Sequence, residues 1–145
     1  MSNVQPRSLA LLLGVKPKKA KAFTALDLAK AVRAGLSVDA VDRLCAMIAP
    51  AEPALRYRIV PKATLARRTA ARRLSPDESD RLARLARLWA FASNVWKSDD
   101  AAQRFLGEPH PLLGGRIPRE LATETEVGAR AVEDLLGRLK YGSAA

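Results

Sequence analysis

The chain of 145 residues contains one cysteine, Cys45, and one histidine, His110. A lone cysteine cannot close an internal disulfide, so nothing points to an oxidising compartment. A lone histidine has no second ligand at metal-binding spacing, and no nucleophile stands beside it for a catalytic pair. Glu133 and Asp134 are adjacent on a helical pattern, so they point apart and make no acid/base pair. A phosphate loop of the GxxxxGK[ST] type is absent. An enzyme is therefore the least supported class, and no catalytic residue, cofactor or metal is assigned. No apolar run approaches the roughly 20 residues that cross a bilayer. The apolar residues 9–13, followed by Lys16, Lys18 and Lys19, are too few for a signal-peptide core. A cytoplasmic protein is the expectation.

Aromatic residues make up only 5% and β-branched residues are sparse, while apolar residues reach 48%. The core must be built from Leu, Ala and Val, and such a composition favours helices. Neither strand-like alternation nor an internal repeat is present. The expected fold is all-α.

Acidic residues are missing from residues 1–22, which hold Arg7, Lys16, Lys18, Lys19 and Lys21. Residues 51–74 carry Arg56, Arg58, Lys62, Arg67, Arg68, Arg72 and Arg73 against Glu52 alone. Residues 98–145 are mildly acidic, although the chain as a whole has a net charge of +10. A basic front and an acidic back suggest two partners, with nucleic acid for the front.

Punctuation along the chain divides it into three parts. Residues 1–22 read as a basic flexible tail, whose KPKKAK run is a linker that either touches DNA phosphates or is merely solvated. Residues 23–74 read as a helix-turn-helix unit. Thr24 with Asp27, and Ser37 with Asp39, open two helices, the first with Leu26, Ala29, Ala31 and Val32 inward and Gly35 as its stop. Val38, Val41, Leu44, Cys45 and Ile48 give the second an apolar face. A short helix over residues 51–59, a break at Val60 and Pro61, and a basic helix over residues 61–73 follow.

Two short helices joined by a tight break, the second rich in arginine, fit a helix-turn-helix. Lys62 and Thr64 would reach base edges, and Arg67, Arg68, Arg72 and Arg73 would meet phosphates or guanine. The competing reading is a solvated arginine face bridged to Glu78 or Asp80. One long helix then links the two halves. It opens at Ser75 with Pro76 and Glu78 in capping positions and carries Leu82, Leu85, Leu88, Trp89, Ala92, Val95 and Trp96. Its stripe is wider than one small domain needs, so a homodimer is expected on a two-fold operator.

Residues 75–145 form the third part. Ser98 caps a short helix that ends at Gly107. Two prolines and two glycines then force a structured loop, followed by a helical turn at Pro118. Thr123 or Thr125 opens the last helix, with Val127, Ala131, Leu135 and Leu139 as its stripe. Gly114 and Gly115 allow backbone at positive φ and close approach of another chain. Leu135 and Leu139 are expected largely inside, with the rest of residues 138–142 facing outward.

SPDESDRLARLARLW resembles the opening of the toxin-binding domain shared by Xre, MbcA and ParS-type antitoxins. The Leu-Gly-Gly at 113–115, Pro118, Glu120-Leu121, TEVG at 125–128, ARAV at 129–132 and residues 135–142 are similar in order and spacing. AFTALDLAKAVRAGLSVDAVDRL and TLARR look like the family's helix-turn-helix half, so the resemblance covers residues 22–142. It implies an antitoxin whose partner is a RES-domain toxin that consumes NAD⁺. The toxin would be blocked by covering its active site, so the NAD⁺ chemistry belongs to the partner. The resemblance and the basic, aromatic end together mark Leu113, Gly114, Gly115, Arg116, Arg138, Lys140, Tyr141 and Gly142 as the toxin-binding residues. Operator binding would repress the pair's own promoter. A stand-alone helix-turn-helix repressor is the alternative, but it leaves the C-terminal pattern unexplained.

Overall fold

The computed structural model describes residues 4–16 and 22–142. Pro17, Lys18, Lys19 and Lys21 of the expected linker lie outside them, as do residues 143–145. Eight α-helices and no strand occur among the described residues. They are α1 (Pro6–Leu12), α2 (Ala25–Ala34), α3 (Asp39–Ile48), α4 (Lys62–Ala71), α5 (Pro76–Trp96), α6 (Asp99–Gly107), α7 (Pro118–Glu124) and α8 (Glu126–Tyr141). Short 3-10 helices stand at Pro53–Arg58 and Pro111–Leu113.

The helical turns that the sequence allows over residues 8–13 are present in the first part as α1, which packs on the core. Pro6 fits the first turn of α1, and Leu9, Ala10 and Leu13 are buried. Leu9 and Leu13 are four apart, so they share one face and can be covered together against α5.

Capping follows the sequence at most helix starts, but not at α3, where Val38 stands at the cap without a side-chain bond and the Ser37 hydroxyl only accepts from the Asp39 amide at 3.3 Å. Thr24 and Asp27 form a reciprocal capping box on α2, and Gly35 ends that helix at φ 99°. Ser75 and Glu78 do the same for α5. Thr125, not Thr123, opens α8: its hydroxyl accepts from the Gly128 amide at 2.9 Å. The Thr123 hydroxyl donates to the Glu120 carbonyl instead. The packed face of α2 is Leu28, Ala31 and Val32, whereas Leu26 is 64% exposed and Ala29 is exposed. On α8 the face is Ala129, Val132, Leu135 and Leu136, with Val127 78% and Leu139 43% exposed. In both helices a run of apolar residues offers two overlapping stripes, and the position of neighbouring helices selects one.

The helix α5 is central. Leu82, Leu85, Ala86, Leu88, Trp89, Phe91 and Ala92 are all buried within the chain. Packing against α1, α2 and α3 as well as α6, α7 and α8 uses the width of its stripe. That width is thus no argument for a second copy. One apolar cluster runs from Leu9 to Leu136 through both halves. Cys45 lies in it, and burial, then the nearby Asp42, push its thiol up to about 11.

Polar contacts also cross from front to back. Arg119 pairs with Glu52, and Arg58 with Glu120. Arg87 donates to Glu133 at 2.9 Å and to Glu126 at 2.7 Å, and the Gln103 amide donates to the Met47 carbonyl at 2.7 Å. Gly128 allows α8 to start directly on α7, since a Cβ there would lie 2.2 Å from the Leu121 carbonyl oxygen.

Two candidate interfaces

The front interface begins with the 3-10 helix Pro53–Arg58, which buries Leu55. Ile59 and Val60 follow and are fully buried, so the turn is itself part of the core. Arg81 of α5 donates to the Ile59 carbonyl at 2.6 Å and pins that turn. Pro61 then caps α4, where no residue is buried and only Thr64, Leu65 and Arg68 are partly covered. A helix so polar at this place is presented outward by its neighbours.

The six residues proposed to meet DNA fall into two groups. Lys62 is exposed, with its ammonium 5.7 Å from the Tyr57 ring centre, a cation–π distance. Thr64 is half-buried and Arg67 is exposed. Arg72 ends α4 in the left-handed region at φ 59°. Neither Arg67 nor Arg72 has an ion pair among the described residues.

Arg68 and Arg73 are engaged within the chain. The Arg68 Nε donates to Glu78 Oε1 at 2.7 Å, and Arg73 donates to the Ala34 carbonyl at 3.0 Å. Arg73 also pairs antiparallel with Ser37, and the Leu74 amide donates to the Leu36 carbonyl at 2.9 Å. The bridge to Glu78 weighed from sequence is therefore present, but only at Arg68. The other bridging candidate, Asp80, pairs with Arg84 at 3.1 Å.

The back interface is built on a small hairpin. His110 and Arg116 pair antiparallel, and the His110 Nδ1 accepts from the Leu112 amide at 3.1 Å. Gly114 and Gly115 turn the chain at φ 66° and 79°. A Cβ on either would meet nothing within 4 Å, so their backbone faces open space. Arg116 pairs with Glu124 of α7. Leu113 packs against the core, while Leu112 beside it is 65% exposed.

The end of α8 reaches the same region. Leu139 lines a cleft of about 350 Å³ together with His110, Pro109, Trp96, Phe105 and Arg104. Rings run across it, with Trp96 and Phe105 centres 5.8 Å apart and Phe105 and His110 5.8 Å apart. Tyr141 is 63% exposed, with the Lys140 ammonium 5.4 Å from its ring centre. Gly142 ends the helix at φ 63°, its amide donating to the Arg138 carbonyl. His110 of the hairpin and Leu139 of α8 thus meet at one cleft, while Leu113 to Arg116, Arg138 and Lys140 to Gly142 are not among its lining residues.

Sequence reasoning left out Leu112 and placed Trp96, which is 39% exposed, in the core stripe of α5. Trp96 sits one residue before the left-handed Lys97, where the helix runs beyond its cover. An apolar residue beside a Gly-Gly turn was the available signal for Leu112.

Such a fold defines an all-helical protein with a helix-turn-helix front and an aromatic-lined, two-part surface at the back. Residues 27–87 match the Antitoxin Xre-like helix-turn-helix domain, and residues 92–142 match the Antitoxin Xre/MbcA/ParS C-terminal toxin-binding domain. The chain is 40% identical over 119 residues to Antitoxin Xre of Yersinia enterocolitica, an alignment covering 79% of each. It is 35% identical over 91 residues to Antitoxin Xre of Pseudomonas putida, covering 62% of this chain and 57% of that one. The chain belongs to the Xre family of antitoxins. The two matched stretches meet inside α5, between Arg87 and Ala92, so neither half closes without that helix.

Proposed function

We propose that the chain is the antitoxin of a type II toxin–antitoxin pair, acting in the cytoplasm. Its back half binds a RES-type toxin and covers the toxin's NAD⁺ site. Its front half binds operator DNA as a homodimer and represses the pair's own promoter. The observation that carries the reading is one cleft lined by Trp96, by His110 at the base of the hairpin and by Leu139 of α8, with the 3-10 turn Pro111–Leu113 packed on α8 beside it. Hairpin and α8 both lie in the stretch matching a toxin-binding domain. Tyrosine, tryptophan and arginine are frequent anchors of interfaces, so Trp96, Arg138 and Tyr141 suit this use. Lys140 gives the tip the charge to enter a site shaped for a dinucleotide phosphate. For the front, the exposed Lys62, Arg67 and Arg72 around an unburied α4 support DNA phosphate contact.

Truncation after Gly137 tests the toxin reading. Leu135 and Leu136, the last buried residues of α8, remain, so the fold should persist. Co-expressed with the toxin encoded beside it, the full chain is expected to preserve cellular NAD⁺ and the truncated chain to release its loss. Full protection by the truncated chain would move the inhibitory surface away from the tip, to the hairpin. Light scattering of the full chain, alone and with DNA, is expected to show a dimer; a monomer at micromolar concentration would remove the homodimer.

A further inference from the structure

The helix α4 is the least anchored of the long elements, yet a DNA-reading helix must be held in one pose. It buries no residue, and Leu65 alone packs against the core from its apolar positions. Its end is held by the Arg73 contacts to Ala34 and Ser37, and its middle by the first turn of α5. Glu78 Oε1 accepts from Arg68 Nε at 2.7 Å and from the Ser75 amide at 2.9 Å. One carboxylate oxygen thus closes the α5 capping box and ties down the middle of α4. The next residue, Ser79, is buried, and its hydroxyl accepts from the Leu36 amide at 2.8 Å, fixing the chain that pairs with Arg73 just after α4.

We infer that Arg68 and Glu78 are positioning residues that set the pose of α4, with Arg68 acting through Glu78 and not as a ligand of DNA phosphate. This rests on the DNA-binding reading above. Glu78 is 5% exposed. If Arg68 left it for a phosphate, a carboxylate would remain buried without its cation, which costs more than one solvent-exposed phosphate contact returns. The side chain of Arg68 is itself mostly covered, unlike that of Arg67. Basic charge near DNA therefore divides into cations that face phosphate and one that orients the helix carrying them.

The two roles have opposite signatures. A phosphate ligand contributes about 0.9 to the slope of log affinity against log salt. A positioning residue lowers affinity at every salt concentration and leaves the slope unchanged. Removal of the Glu78 charge separates them by sign. Were Arg68 a phosphate ligand, Glu78 would compete for it, and Glu78→Gln would raise affinity. As a positioning pair, Glu78→Gln lowers it.

The experiment uses the full chain and the DNA upstream of its own reading frame, with binding measured by fluorescence anisotropy across a salt series. The active fraction of each variant is fixed by stoichiometric titration, so a loss of folded protein is not read as a loss of affinity. Arg67→Gln is expected to reduce the slope by about 0.9. Arg68→Gln and Glu78→Gln are each expected to weaken binding about tenfold at constant slope, as loss of one charge-assisted bond does. The double variant should be no weaker than either single one, because both break the same link. Glu78→Gln keeps the volume and an oxygen for the Ser75 amide, so it reads out even if Arg68→Gln folds poorly. Tighter binding by Glu78→Gln, a reduced slope for Arg68→Gln, or additive losses would overturn the inference alone. Absence of salt-dependent binding by the unmutated chain would overturn the DNA reading, and the inference with it.

Discussion

The helices α4 and α8 both carry basic residues in their last turn, yet they are held in different ways. The first buries nothing and is tied by Arg68 to Glu78, beside a short backbone pairing at Arg73. The second buries Gly128, Ala129, Val132, Glu133, Leu135 and Leu136 against α5 and α7, with no buried residue in its last turn. A buried stripe contributes about 1.5–3 kcal/mol for each large side chain, whereas one charge-assisted bond contributes about 1.5–3 kcal/mol in total. Most of α8 is therefore committed to the fold. The sequence of α4 is open to selection by a partner, with its pose delegated to a few polar contacts.

The contrast is sharpest in stability. Leu136 is fully buried, and Leu136→Ala should cost about 2–5 kcal/mol, read as a lowered urea midpoint. Leu65→Ala on α4, only partly covered, should cost less than about 1.5 kcal/mol in the same measurement. Equal losses at the two sites would break the comparison. At the start of α8, Gly128→Ala would place a Cβ against the Leu121 carbonyl, with no flexible side chain to give way. An expected cost of about 1–3 kcal/mol follows from the forced separation of α7 and α8. The converse holds on α4, where Arg67→Gln with Arg72→Gln should leave the urea midpoint within about 0.5 kcal/mol while reducing the salt slope of DNA binding.

The smallest effect concerns acid. Burial alone would raise the Glu78 pKa, but the hydrogen bond from Arg68 and the bonds at Ser75 outweigh it and hold the carboxyl below its ordinary 4.5. A depressed pKa adds stability above the unfolded value, and this is lost as pH falls through the folded value. The stability difference between the unmutated chain and Glu78→Gln should thus stay constant from neutral pH to about pH 5. It should shrink only below the ordinary carboxylate range. A difference already fading at pH 6 would show that Glu78 is not held in this way.

Several particulars are legible in the sequence. Thr24 with Asp27 and Ser75 with Glu78 mark helix starts because side-chain oxygens at fixed offsets satisfy free amides locally. Gly35 and Gly142 mark helix ends for the equally local reason of positive φ. The face of α2 was not legible, because Leu26, Leu28, Ala29, Ala31 and Val32 support two stripes, and the choice of Leu28 depends on where α1 and α5 lie. Leu139 was misplaced for the same reason. The helical turns of α1 are legible, but their burial against α5 is not, because it depends on a helix far along the chain.

Sequence by itself determined the all-helical class, most helix starts and ends, the basic helix, the glycine turn and the family pattern. Each of these rests on interactions within a few residues or on the summed character of a segment. Only the tertiary structure decided that α5 serves both halves, that Arg68 and Arg73 are bonded within the chain while Arg67 is not, and that His110 and Leu139 line one cleft. Those facts join residues far apart in the chain, such as Arg73 with Ala34 or His110 with Leu139. Local physics permits many such pairings, and the packing of the whole core selects one.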